Sequence, residues 1–309
     1  MKAWMRELQV KLSNGKQVIT FTDPLNIEVE GSKYMSALKD SCVVTISNIT
    51  YSEIITIING KFYNVEVLFG YKSTGALKTI FKGGLVYISN KLGNHKDNQV
   101  ILICASELIA RYSQSKLNLT INSGVNIYSA LNLVSKMSGI RNANISKQLQ
   151  KTILDSAKSD GSITSWLNRL TDEDSSMILS TDSSFGNTFS IYNADWQNGN
   201  IIPLTRDNIT LTGGYPRMNS NGATINILPT YNFQPGDIVK VDNSLFDISV
   251  SSLDEAQSTM KGLYLDKDQI YMVFQVDYSL GNRTTDCSMS LICKSKALVS
   301  TYIGVGKNG

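Results

Sequence analysis

Strict alternation of polar and apolar residues constrains this chain most. Near the start, Glu7, Gln9 and Lys11 interleave with Leu8, Val10 and Leu12. This is the period-2 pattern of a strand with one face in a core and the other in water. Asn14-Gly15 follows and predicts a two-residue hairpin, because a type I′ turn needs positive φ at both central positions. The chain returns at 18–21 and continues with apolar runs at 27–29, 43–46, 62–69 and 79–88. Turn residues stand at Asn59-Gly60, 73–75 and Gly83-Gly84. Some six short strands joined by tight turns, roughly one every dozen residues, predict a small barrel or sandwich. Residues 1–95 form this first β-barrel domain, with a short helix at 52–58 on its edge.

The texture changes after a polar stretch at 90–98, which reads as a linker. A strand at 99–104, a short helix at 106–112 and a strand at 117–121 come next. Ile127, Ala130, Leu131, Val134 and Met137 then recur at helical spacing, with Gly139 in the place of a C-terminal cap. A second helix begins after Gly161 with Ser162 as its cap and Ile163, Trp166, Leu167 and Leu170 as its stripe. With strands at 177–180 and 188–192, residues 96–194 make an α+β middle domain. From 195 to 309 the chain is β-rich again. Hairpin signals stand at Asn198-Gly199 and Asn221-Gly222, and strands at 223–228, 238–241 and 246–250. Phe233-Gln234-Pro235-Gly236-Asp237 makes a tight turn. Alternating runs at 269–278 and 287–293 form the closing hairpin of a second barrel. The fold class is mainly β with an α+β middle region: two small β-barrel domains flanking an α/β insert. No fixed-period repeat is visible, which excludes solenoids and propellers.

Composition removes several functions. Lys and Arg number 29 against 26 Asp and Glu, a net charge of +3. That is too small a surplus for a polybasic nucleic-acid binder. Apolar residues at 42 % suffice to fill real cores. The first residues lack the apolar core of a signal peptide, and no apolar run approaches the roughly 18 residues of a membrane helix. Cys42, Cys104, Cys287 and Cys293 form no C-x-x-C pair. On one strand Cys287 and Cys293 would lie about 20 Å apart, too far to bridge. The four read as buried thiols of a reducing compartment.

No spacing assembles a catalytic centre. His95 is the one histidine, so a nucleophile–His–acid triad would have to use it, and it lies in the polar linker. The spelling G-x-G-x-x-G at 304–309 lacks the strand-to-helix setting of a dinucleotide loop. Ser113-Gln114-Ser115-Lys116 has no K-T-G partner. Asp172-Glu173-Asp174 reads as a solvated helix end, and Asp266 and Asp268 as a solvated turn without the glycine and third ligand of a calcium loop. Trp4, Trp166 and Trp196 are scattered anchors and form no stacking platform. The expectation is a protein that is no enzyme and carries no metal or cofactor.

The order of elements carries a resemblance. An apolar strand through Cys42-Val43-Val44-Thr45-Ile46 ends in Ser47-Asn48-Ile49-Thr50 and is followed by a short helix. Then come Val65-Glu66-Val67-Leu68-Phe69-Gly70-Tyr71 and Ile80-Phe81-Lys82-Gly83-Gly84-Leu85-Val86. Further on stand Gly161 with Trp166-Leu167 and Leu170, then Ile227-Leu228-Pro229, then Phe233-Gln234-Pro235-Gly236-Asp237-Ile238-Val239. The series resembles phage tail baseplate hub proteins of contractile tails and related injection particles over nearly the whole chain. The resemblance implies a homotrimer whose paired barrels make a pseudo-sixfold ring. Such a ring joins the sixfold tail tube, or its initiator protein, to a threefold central spike carried on a separate polypeptide. It also implies contact with baseplate wedge proteins, transient non-specific contact with phage DNA in an ejection channel, and a place in the virion without a membrane anchor. Strand addition between subunits would use Leu8, Val10, Val65, Val67, Phe69 and Tyr71, with the turn Phe233, Pro235, Gly236 and Asp237. The competing readings are a carbohydrate- or protein-binding β module and a carboxylate-dependent hydrolase using Asp172 or Asp174.

Overall fold

The computed structural model describes residues 5–35, 40–72, 75–91, 98–106, 109–110, 116–117, 120–138, 141–145, 157–158, 161–163, 167, 177–182, 188–193, 201–206, 214–219, 222–246, 268–284 and 287–295. The chain forms two compact units whose sequence ranges interleave. The first comprises Met1–Gly31, Ser36–Asn193 and Leu280–Thr285, and the second Ser32–Met35, Ala194–Ser279 and Asp286–Gly309. This departs from three consecutive domains. Main-chain pairing is the reason: the strand expected to open the middle domain pairs with strands of the first sheet.

In the first unit, β1 (Arg6–Ser13), β2 (Val18–Phe21), β3 (Asn26–Tyr34, through Gly31), β4 (Ser41–Ser47), β5 (Asn64–Tyr71), β6 (Lys78–Lys91) and β7 (Gln99–Ala105) pair in the order β3-β4-β7-β6-β5-β1-β2. The mainly β expectation is met, but the order does not return on itself among the described residues, so this sheet is open rather than a closed barrel. Alternation decides which face is buried. Leu8, Val10 and Leu12 stand opposite Phe69, Val67 and Val65, and all six are buried. Glu66 and Lys11 pair on the other face at 3.8 Å.

Two turn expectations change. Asn14-Gly15 is part of a four-residue connection, since Ser13 faces Val18. Gly15 alone takes positive φ, at 82°, and Asn14 Oδ1 accepts from the amides of Lys16 and Gln17 at 3.0 and 2.8 Å. The asparagine side chain thereby does the work that a second positive φ does in a type I′ turn. Gly83-Gly84 is no turn but the middle of β6. A Cβ on Gly83 would meet the Ala105 carbonyl, and one on Gly84 would meet Ala110. The pair is required for close packing.

Between β4 and β5 lies α1 (Tyr51–Asn59). Thr50 caps it reciprocally: the Glu53 amide donates to Thr50 Oγ1 at 3.3 Å, and Thr50 N donates to Glu53 Oε2 at 2.9 Å. The middle segment contributes short paired strands, β8 (Lys116–Leu117) with β12 (Gly161–Ser162) and β9 (Thr120–Ile121) with β11 (Ala157–Lys158). It also contributes α2 (Ile127–Ser138) and a small sheet of β10 (Arg141–Ile145), β14 (Thr188–Asn193) and β13 (Met177–Asp182). Asn126 Oδ1 accepts from the Ser129 amide at the start of α2. Ile127, Ala130, Leu131 and Val134 are buried, whereas Met137 in the last turn is exposed. Ser162, expected as a helix cap, lies in β12. Ile163 and Leu167 are buried, and the rest of their stripe falls outside the described residues.

Leu280–Thr285 completes the first unit. The Ile27 amide donates to Asn282 Oδ1 at 2.9 Å, Asn282 Nδ2 to the Leu25 carbonyl at 2.8 Å, and the Asn282 amide to the Ile27 carbonyl at 3.2 Å. Arg6 also donates to the Thr284 carbonyl at 2.7 Å.

The second unit pairs β16 (Arg217–Asn219), β17 (Gly222–Ile227), β20 (Ser288–Ser295) and β19 (Ile270–Gly281, through Ser279) in that order. β18 (Ile238–Val241) lies beside β19, and β15 (Ile201–Leu204) runs parallel to β18. Asn219 faces Gly222 in the β16–β17 pair, where Asn221-Gly222 predicts a hairpin. A bulge between Val273 and Gln275 switches the parity of β19: Tyr271 and Val273 are buried before it, Val276 and Tyr278 after it. Ser32–Met35 joins this unit, with the Met35 amide donating to the Phe274 carbonyl at 3.1 Å and Ser32 Oγ to Asp277 Oδ1 at 2.6 Å.

Asn282→Ala removes two side-chain bonds to buried backbone, a loss of about 1–3 kcal/mol. Amide exchange at Ile27 in the full chain is expected to accelerate about tenfold or more, measured by hydrogen-exchange mass spectrometry or NMR.

Candidate functional site

The structure brings together most of the residues singled out for subunit contact, and it makes them core. Leu8 faces Phe69, Val10 faces Val67, and Tyr71 stands opposite Arg6. Phe69 and Tyr71 meet edge to face at 5.4 Å. β1 is flanked by β2 and β5, and β5 by β1 and β6, so both main-chain edges are occupied along Val10–Ser13 of β1 and Asn64–Phe69 of β5. Over those residues strand addition is closed to a partner. Phe233 is likewise buried, its ring 4.8 Å from that of Tyr231. Alternation marks which residues share a face; it does not say whether that face meets the chain's own core or another subunit.

Pro235, Gly236 and Asp237 are half-exposed in a turn. The Asp237 amide donates to the Gln234 carbonyl at 3.0 Å, and Gly236 has φ 95°. That is the type II geometry which Pro-Gly favours. Asp237 Oδ2 accepts from the Gln234 amide at 2.8 Å. Burial raises the Asp237 carboxyl above its ordinary range, opposed by the Gln234 hydrogen bond and by the charge of Lys33.

Lys33, which the sequence reading did not single out, organises this turn from within. Only 7 % exposed, its ammonium donates to Asn232 Oδ1 at 3.1 Å and to Gln234 Oε1 at 3.3 Å. Gln234 Nε2 closes the triangle on Asn232 Oδ1 at 2.9 Å. A buried ammonium is tolerable only with such acceptors around it. These bonds hold the 231–237 segment in place. The signal was available: Ile27, Val29 and Lys33 fall on one parity of β3, so a lysine occupies an inward position.

Among the described residues no group of three His, Cys, Asp or Glu side chains is placed to hold a metal, and no helix is long and apolar enough to cross a membrane. Lys116 lies in β8. His95, Asp172, Glu173, Asp174, Asp266, the three tryptophans and the glycine-rich 304–309 segment lie outside the described residues. The exposed surface of the first unit instead offers apolar contact area. On α1, Ile54 and Ile57 are buried, while Tyr51, Ile55 and Ile58 form a second, exposed stripe at 59, 37 and 46 %. On the solvent face of the sheet, Val43 of β4, Ile103 of β7 and Tyr87 of β6 stand in one cross-strand row, all exposed.

This architecture is the fold of phage-type tail proteins. It is similar to the crystal structure of the 43 kDa tail protein of prophage MuSo2 from Shewanella oneidensis, with TM-score 0.58, 7 % identity, and coverage of 94 % of this chain and 98 % of that one. The tail protein from Neisseria meningitidis MC58 gives TM-score 0.59 at 11 % identity, covering 96 % and 98 %. The E. coli c3393 protein is a component of the type VI secretion system and exhibits structural similarity to the T4 bacteriophage tail proteins gp27 and gp5. It gives TM-score 0.54 at 9 % identity, covering 93 % and 76 %. No family model and no curated protein matches the sequence. At these identities the shared property is the fold, and at that level the resemblance drawn from the order of motifs is borne out.

Leu8→Ala is expected to cost about 2–5 kcal/mol in urea denaturation, independent of protein concentration, as for a core side chain. A contact residue between subunits would instead change the mass in solution and leave the monomer's stability intact.

Proposed function

We propose that the protein is a structural subunit of a phage-type tail, acting as the baseplate hub without enzymatic turnover. In this role three copies form a ring that joins the sixfold tail tube to the threefold central spike, contacts wedge proteins, and surrounds part of the channel through which DNA leaves. The observation carrying this reading is the extent of the fold likeness. The tail proteins of prophage MuSo2 and of Neisseria meningitidis MC58 match almost end to end, so the likeness spans the whole architecture rather than one common module. The c3393 protein, with its own similarity to gp27 and gp5, favours the hub among tail positions. The small net charge of +3 suits a channel wall that lets phosphate pass without holding it.

A hub must also present area to its own copies. The exposed stripe of Tyr51, Ile55 and Ile58 is the contact this reading assigns to the neighbouring subunit, because a helix apolar on both faces leaves one face to be covered from outside.

Light scattering of the purified chain, alone and with its spike partner, is expected to give a mass close to three times 34.0 kDa. A monomer under both conditions overturns the ring. The double change Ile55→Asp, Ile58→Asp is expected to shift that trimer towards monomer by tenfold or more in dissociation constant. Far-ultraviolet circular dichroism should stay unchanged, since both side chains are surface positions.

A further inference from the structure

We infer that Cys42 and Cys104 form a latent cross-strand pair that closes to a disulfide under a small oxidant and locks β4 to β7. The register places them directly opposite each other in the antiparallel ladder. Opposed residues there have Cα atoms about 4.5 or 5.5 Å apart, and both separations fall within the roughly 4.4–6.8 Å that a disulfide spans. The two share the inward face, between Val44 and Leu102 on their own strands, and are essentially inaccessible to solvent. Neither sulfur is in a disulfide in this structure. The other two cysteines lack this arrangement: Cys293 stands opposite Ala223 and Val273.

Burial, with Cys42 close by, raises the Cys104 thiol and keeps it protonated at neutral pH. A buried, protonated thiol is inert as it stands; reaction needs a brief parting of the strands that lets water in to take the proton and form the thiolate, an opening that admits hydrogen peroxide and not a bulky disulfide. One thiolate attacks a peroxide oxygen, the O–O bond breaks, and a sulfenic acid forms with loss of hydroxide. The second sulfur attacks the sulfenic sulfur, water leaves, and the S–S bond is made. Two thiols and one hydrogen peroxide thus give one disulfide and two waters, with two electrons passing from sulfur to oxygen. The link closes a loop containing α1, β5 and β6, and so ties the centre of the first sheet.

The test exposes the folded full chain to hydrogen peroxide, then alkylates free thiols under denaturing conditions and maps non-reduced peptides. Expected are the loss of two alkylatable thiols, a linked peptide pair carrying Cys42 and Cys104, its reversal by dithiothreitol, and a higher melting temperature for the oxidised protein. Cys287→Ala should leave all of this unchanged, and Cys42→Ala should abolish the shift. Linkage of any other pair, sulfinic acid at Cys42 or Cys104 without linkage, four thiols still free, or a linked protein that melts no higher would each overturn the inference. The wild-type peptide map decides the matter even if a cysteine variant folds poorly.

Discussion

Main-chain hydrogen bonds between segments remote in sequence complete both compact units. The Asn282 amide and side chain reach the backbone of Leu25 and Ile27 in the first. Met35, Ser32 and Lys33 are held by Phe274, Asp277, Asn232 and Gln234 in the second. Strands β3 and β19 each supply residues to both units. Neither unit can therefore be assembled from a continuous stretch of chain. The polar and charged groups at these points, Asn282, Lys33 and Asp277, fasten segments remote in sequence.

The partition of side chains between core and surface follows from that frame. Once β1 and β5 lie inside the sheet, their inward apolar residues fill the chain's own interior. Among the described residues, the apolar side chains left outside the filled core include the outer stripe of α1 and the row across β4, β7 and β6. These are apolar residues at positions where alternation or helical period asks for polar ones.

Much of the fold was legible because its strands have one wet face. The run at 18–21 and that at 238–241 coincide with β2 and β18, and α1 and α2 lie within a residue or two of where periodicity puts them. Missed elements are those whose residues carry no such signal. β15 contains Pro203 and pairs in parallel with β18, while β10 reads Arg-Asn-Ala-Asn-Ile with hardly an apolar side chain. The interleaving of the units was illegible for a different reason: pairing partners of Asn282 and Met35 lie across most of the chain, and no local pattern encodes them. The same limit misplaced the candidate contact residues, since a face is written in the sequence but its partner is not.

The dependence of the first unit on residues 280–285 has a consequence for biosynthesis. A ribosome adds about 5–20 residues per second, so tens of seconds separate the appearance of Ile27 from that of Asn282. Throughout that interval the nascent first sheet lacks its last clamp, and the final fastening of the N-terminal half is set by the arrival of the C-terminal hairpin. Completion of the first unit thus waits on residues made 255 positions after the backbone they clamp.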